Sequence, residues 1–198
     1  MATLPATIRE PLREALLDRQ ERAIRPAKST PASVLIPLVD RDGEAFVWLI
    51  RRAEAMNRHG GQIAFPGGKR DQDDASALEA ALCQTEEELC FPRDRVEVHG
   101  RLDDLETITG FVVSPFVGWL REDLIATPNE GEIARAFCVP LASFVFTEPR
   151  ARPFRGRGMT RIAPSYDVDG ELVRGATARI MMNLVSIVRE VLRRHTVA

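Results

Sequence analysis

Three oxygen-bearing side chains, Gln84, Glu87 and Glu88, stand at i, i+3 and i+4 within the run Ala75 to Leu89. On a helix turning about 100° per residue, that spacing puts all three on one face. Two adjacent carboxylates with a third oxygen one turn back can share a hard divalent cation. Magnesium takes oxygen ligands in near-octahedral geometry and keeps waters that substrate phosphates can replace. The same three residues also describe a solvated acidic helix face, and their spacing does not separate the two readings. The segment just upstream adds context. Phe65-Pro-Gly-Gly-Lys-Arg-Asp71 precedes the helix, and the glycines at Gly67 and Gly68 let the backbone approach a ligand closely. Asp71, Asp73 and Asp74 crowd the helix start, where the macrodipole and the free N–H groups favour acids.

A second reserve of charge lies downstream. Arg150, Arg152, Arg155, Arg157 and Arg161 cluster around Pro149 to Gly158, which reads as an irregular loop rich in glycine and proline. Arginine pairs bidentately with phosphate, so this stretch is either a phosphate-capturing loop or a surface hairpin. His99 and His195 have no partner pattern. The three cysteines, Cys83, Cys90 and Cys138, form no C-x-x-C pair. That argues against a zinc module or a disulfide framework and fits a reducing compartment. Cys83 and Cys90 lie about 10.5 Å apart along a helix axis at ~1.5 Å per residue, too far to be bridged.

The elements that must position these groups follow from periodicity. Leu78, Ala81, Leu82, Thr85 and Leu89 form an apolar stripe that can face the core, with the acidic trio about a third of a turn away. Residues 8 to about 24 read as an amphipathic helix, and Arg25 to Pro31 as a linker. Strands are expected at Ser33 to Val39, Ala45 to Ile50, Val96 to Leu102, Phe111 to Leu120 and Ile133 to Val139. Asp42-Gly43 is the turn between the first two. Gln62 to Phe65 is short and extended and is broken by Pro66-Gly67-Gly68. A short helix near Leu141 to Phe146 and a long amphipathic one from Thr177 to Arg194 complete the order. Strands with a few helices and no regular βαβ alternation indicate an α+β or mixed α/β sandwich. Residues 1–31 are expected as an N-terminal helix and linker, and residues 32–198 as the main domain.

The chain has 198 residues, 44% apolar and 28% charged, with formal net charge -2. A domain of that size buries about 70% of its unfolded surface without staples. The charge excludes a strongly basic nucleic-acid binder. All but two of the 27 lysine and arginine residues are arginine, a bias that an arginine-favouring codon usage also explains. The longest nearly apolar stretch, Phe111 to Leu120, is too short to span a bilayer. The amino-terminal residues lack a charged start followed by an apolar run, so a cytoplasmic location is expected.

The run Phe65 to Phe91, FPGGKRDQDDASALEAALCQTEEELCF, resembles a Nudix box, G-x5-E-x7-R-E-U-x-E-E-x-G-U with U apolar. Asp74 takes the place of the first Glu, and the spacer to Cys83 is one residue longer. With Leu49, Arg52, Met56, His59 and Gly61 upstream of Gln62 to Gly68, the pattern is similar to the coenzyme A pyrophosphatase branch. Leu102 to Leu120, Glu132-Ile133 before Val139-Pro140-Leu141, and Gly175 to Ile180 extend the likeness over about Ser33 to Leu184.

The resemblance implies a Nudix αβα sandwich, a mixed β-sheet between helices. It implies metal-dependent hydrolysis of the pyrophosphate of coenzyme A or a related nucleoside diphosphate derivative, with Mg2+ or Mn2+. Glu87 and Glu88 would hold the metal with Gln84, and Glu132 would add a carboxylate as base or ligand. Arg52, His59, Gly67 and Gly68 would meet substrate. No nucleic-acid or membrane partner is implied, and a homodimer is left open. Besides Asp74, three further positions depart from the box: its Arg is Cys83, its first helical Glu is Gln84, and its Gly is Cys90. Losing one charged ligand should weaken magnesium binding roughly 10- to 100-fold. Two rivals therefore stand beside this reading. One is a Nudix module that binds a nucleotide-like ligand or partner without cleaving it, and the other is a hydrolase of another nucleoside diphosphate class.

Overall fold

The computed structural model describes residues 2–24, 28–54, 60–129, 131–156 and 159–196. A 3-10 turn leads into helix α1 (Arg9–Asp18), then strands β1 (Thr30–Arg41), β2 (Glu44–Arg52), β3 (Ile63–Ala64) and β4 (Gly67–Lys69) precede helix α2 (Ala77–Leu89). Strands β5 (Val96–Arg101), β6 (Leu105–Glu106), β7 (Phe111–Leu120) and β8 (Ile133–Pro140) lead to the short helix α3 (Ala142–Val145). A hairpin of β9 (Arg150–Gly156) and β10 (Met159–Val168), then β11 (Glu171–Arg174) and helix α4 (Gly175–Thr196), close the chain.

Among the described residues, eight strands form one sheet along the path β3-β2-β1-β7-β5. Strands β1 and β7 pair in parallel and the other pairs are antiparallel, so the sheet is mixed. The β1–β2 turn carries Asp42 at φ 53° and Gly43 at φ 79°, two successive left-handed residues, as Asp-Gly hairpins require. Pro37 lies inside β1, past the residues that pair with β4 and before those that pair with β2. Its missing N–H therefore costs the ladder nothing on that edge.

Alternation along β1 sends Leu35 and Val39 to one face and Ile36 and Leu38 to the other. The first face packs on α2 through Ala81, Leu82 and Leu89. The second packs on α1 through Leu12 and Leu16 and on α4 through Ala178, Met181, Leu184 and Val188. The result is an αβα sandwich. At 25 cal/mol per Å2, each large apolar side chain buried in it contributes about 1.5–3 kcal/mol.

Several local expectations change. Helix α1 ends at Asp18 rather than near residue 24. Beyond it the chain is strapped to the β5–β6 corner: Arg19 Nη2 donates to Asp103 at 2.6 Å, and the Ile24 N–H donates to Asp104 at 2.8 Å. Pro31 belongs to β1, not to a linker. Gly67 and Gly68 do not merely break an extended run, since they pair with Val34 and Ser33 as strand β4. The arginine-rich stretch is ladder-paired as β9–β10, not an irregular loop. No helix among the described residues is long and apolar enough to cross a membrane.

Candidate active site

Helix α2 begins where Ser76 caps it, its hydroxyl accepting the Glu79 N–H at 3.1 Å. Serine with glutamate three residues on is a capping-box sequence. The aspartates before it act differently from the expectation. The Asp74 carboxylate accepts the Asp71 N–H at 2.7 Å, closing a turn ahead of the helix. At the other end Cys90 stands in the left-handed region, φ 57° and ψ 34°, and its N–H donates to the Glu86 carbonyl at 2.9 Å.

Glu88 is the centre of the site. Its spacing places it off the apolar stripe, yet its residue is only 2% exposed, because β4 and the Arg52 side chain cover that side of the helix. The Gly67 N–H donates to its Oε2 at 2.9 Å, and Arg52 Nη1 lies 3.4 Å from its Oε1. Burial pushes its carboxyl up to about 7. The Gly67 N–H and Arg52 pull against that rise, and the charges of Glu132 and Glu87 add to it. Gly67 can approach this closely only as glycine. Its φ is 142°, and a Cβ there would collide with the Ser33 carbonyl and Val34.

Glu87 is exposed and held from both sides on its own helix. Gln84 Nε2 donates to one carboxylate oxygen at 2.9 Å and the Cys83 thiol to the other at 3.3 Å. The bond to Glu87, with burial and the Glu87 charge, pushes the Cys83 thiol up, so it remains a protonated donor. Arg93, from beyond the helix, donates to Glu86 at 2.7 Å and approaches Cys83 Sγ at 3.4 Å. The Gln84 amide oxygen faces the glycine turn, 2.5 Å from where a Cβ on Gly68 would sit.

Arg52 reaches this face because β2 slips register between Arg51 and Arg52. Its neighbour Arg51 turns to the opposite face and pairs with Glu171 at 2.9 Å. Glu132 precedes β8, which runs beside β2 with Ile133 opposite Arg52. The Ala53 N–H donates to the Glu132 carbonyl at 2.8 Å, and the Asn129 N–H donates to the Glu88 carbonyl at 3.3 Å. The fold thus gathers Gln84, Glu87, Glu88, Arg52, Gly67 and Gly68, with Glu132 on the flanking loop. His59 and Met56 lie outside the described residues. Arg150 and Arg152 are committed elsewhere, both donating to Asp167, at 3.3 and 2.7 Å. Arg157 and the side chain of Arg155 lie outside the described residues.

Among the described residues no three His, Cys, Asp or Glu side chains converge to hold a metal ion. The oxygen donors that α2 carries beside the Gly67–Gly68 turn are the carboxylates of Glu87 and Glu88 and the Gln84 amide oxygen, all hard oxygens of the kind magnesium and manganese accept. A buried carboxylate such as Glu88, held short of full charge balance, is relieved by a cation. The set fits a divalent ion held by fewer charges than a three-acid site would give.

A model of the NUDIX domain matches residues 29–161. Proteins called Nudix hydrolase NudL, a name that states no substrate, are similar to this chain. The one from Cronobacter sakazakii is 38% identical over 142 residues, 72% of this chain and 73% of its own length. The one from Yersinia enterocolitica is 44% identical over 115 residues, 58% of each chain. The Escherichia coli K12 protein is 43% identical over 111 residues, 56% of this chain and 57% of its own. The match thus spans just under three fifths of the Yersinia and Escherichia relatives. Among solved structures, a MutT/nudix family protein from Enterococcus faecalis superposes with a TM-score of 0.57 at 13% identity, over 88% of this chain and 70% of that one. A Deinococcus radiodurans protein gives 0.54 at 14% identity, over 80% and 86%. At such identities these two likenesses speak for the fold alone.

Proposed function

The chain belongs to the Nudix family, and from that premise we propose that it hydrolyses the pyrophosphate of a nucleoside diphosphate linked to a further moiety. The first candidate is coenzyme A or a derivative, cut to 3′,5′-ADP and a phosphopantetheine. The observation that carries hydrolysis is the Glu87–Glu88 pair, held on α2 against the Gly67–Gly68 turn with the Arg52 guanidinium 3.4 Å from Glu88. The coenzyme A assignment is supported by the motif residues Leu49, Arg52, Gly61 and Gln62 to Gly68 and by the stretch Leu102 to Leu120.

When bound, a divalent cation supplies charge to the pyrophosphate oxygens and makes water a stronger nucleophile. Glu87, Glu88 and the Gln84 amide oxygen are the groups that would hold it. Arg52, with one guanidinium nitrogen 3.4 Å from Glu88, would pair with a substrate phosphate through the rest of its planar fork. Backbone at Gly67 and Gly68 admits the substrate closely, and Glu132 is the carboxylate that takes the proton from water. His59 is a further substrate contact.

One observation favours weaker catalysis. Gln84 is neutral and donates one amide hydrogen to Glu87 at 2.9 Å, so the helix lends the site one charge fewer than three acids would. Release of phosphopantetheine from coenzyme A should therefore need high magnesium or favour manganese. Gln84→Glu should lower the metal concentration for half-maximal rate about tenfold. No cleavage of any diphosphate in a panel of coenzyme A, nucleotide sugars and dinucleotides, by wild type or by Gln84→Glu, would leave only the binding-module reading.

A further inference from the structure

The carboxylate Glu132 is exposed on a loop, yet a base or ligand must be held to a fraction of an ångström. Its backbone is tied on both sides. Its N–H donates to the Asn129 carbonyl at 3.0 Å, and its own carbonyl accepts the Ala53 N–H at 2.8 Å. The same Asn129 carbonyl also accepts the Ile133 N–H at 2.8 Å, at the first residue of β8. The Asn129 N–H donates to the Glu88 carbonyl at 3.3 Å. One residue therefore links the backbone of Glu88 to the backbone of Glu132. Its side chain closes the turn: Asn129 Oδ1 accepts the Gly131 N–H at 3.2 Å. Asparagine suits that place because its short amide imitates a backbone carbonyl two residues back.

We infer that Asn129 is a positioning residue. It folds the turn that registers Glu132 against the carboxyl end of α2 and the Arg52 side of β2. This rests on the proposal that the Glu132 carboxylate works in hydrolysis. Asn129 itself touches no substrate. Losing its side chain frees an exposed Gly131 N–H to water, so global stability should hold. What is lost is the register of Glu132, and a misplacement near 1 Å costs catalysis about 100-fold.

The test compares Asn129→Ala, Asn129→Asp, Glu132→Gln and the double variant Asn129→Ala with Glu132→Gln. The first readout is amide hydrogen exchange of the metal-free protein. Protection at Glu132 and Ile133 should fall about tenfold or more in Asn129→Ala, with an unchanged melting temperature, and return in Asn129→Asp, which keeps the acceptor. Unchanged protection in Asn129→Ala overturns the inference whatever the activity. The second readout is turnover of coenzyme A with manganese. Asn129→Ala should lower kcat about 10- to 100-fold with KM nearly constant, and add nothing once Glu132 is Gln. A fully additive loss overturns the inference, because Asn129 would then act through something other than Glu132. A normal kcat in Glu132→Gln sinks the underlying role of Glu132, a result distinct from either failure of Asn129.

Discussion

Glu88→Gln should make the metal-free protein more stable while removing hydrolysis. Burial lifts the Glu88 carboxyl from 4.5 to about 7, so the folded chain binds this proton more tightly than the unfolded chain does. Stability therefore falls as pH rises from about 4.5 through 7, and the full cost is present above 7. At ~1.4 kcal/mol per tenfold in proton affinity, that cost is about 3 kcal/mol. Glutamine has no proton to lose, and its carbonyl oxygen can still accept the Gly67 N–H. Arg52 loses a partner 3.4 Å away, but its side chain is 19% exposed and can be hydrated. With ~2–4 °C per kcal/mol for a chain of this size, Glu88→Gln should melt roughly 6–12 °C higher than wild type at pH 8 in chelator. The gap should close toward pH 4.5. Saturating manganese should reverse the order, since only wild type gains the binding energy of a full ligand set. Thermal melts at pH 5, 6, 7 and 8, with chelator and with manganese, make the comparison. A variant less stable than wild type at pH 8 in chelator would refute the reasoning, because the ionised carboxylate would then be a net support of the fold.

Two other outcomes follow from single residues. Cys90 holds a left-handed conformation that disfavours a side chain, so Cys90→Gly should raise the unfolding free energy by about 0.5–1 kcal/mol, and a urea midpoint unmoved or lowered would contradict the strain. His99 is fully buried, stacked 5.8 Å from Trp119, with neither ring nitrogen hydrogen-bonded, and burial lowers its pKa from 6.5. The unfolded chain takes this proton first, so stability is lost as pH falls through about 6.5, opposite in sign to the Glu88 effect. His99→Leu should remove that acid slope, and urea midpoints between pH 5 and 8 that keep the wild-type slope would show that other groups cause it.

The sequence makes the α2 helix legible because its apolar stripe has a clean helical period and its acids keep a fixed spacing. Its long β1, β2, β7 and β8 strands are legible for a similar reason, as β-branched runs between turn residues. What spacing alone does not reveal is which neighbours cover the helix. Glu88 reads as a surface acid until Gly67 and Arg52 are brought over it, and those contacts come from strands 21 and 36 residues away. Asp169-Gly170, with φ of 53° and 74°, repeats the Asp42-Gly43 turn and signals β10–β11, yet the arginines and glycines just before it read as irregular chain. Asn129 is invisible for the opposite reason: Pro-Asn and a nearby glycine mark a turn, but only the contact with the Glu88 carbonyl shows what the turn holds.

The three strands β9, β10 and β11 pair with one another, in the order β11-β10-β9, and not with the large sheet. Their register is set by their own Asp-Gly turn and by the β9–β10 ladder. They rest on α4 through Tyr166, Val168 and Val173, and touch the β2–β8 edge through the Glu171 pairs with Arg51 and Arg135. A change in length at the β9–β10 tip therefore cannot slide the strands that carry Arg52 and Gly67, or β8, which follows Glu132. The appendage is free to vary in sequence and reach while the αβα scaffold stays put. New recognition elements could be grafted there during evolution, or in the laboratory, without retuning the chemistry beneath.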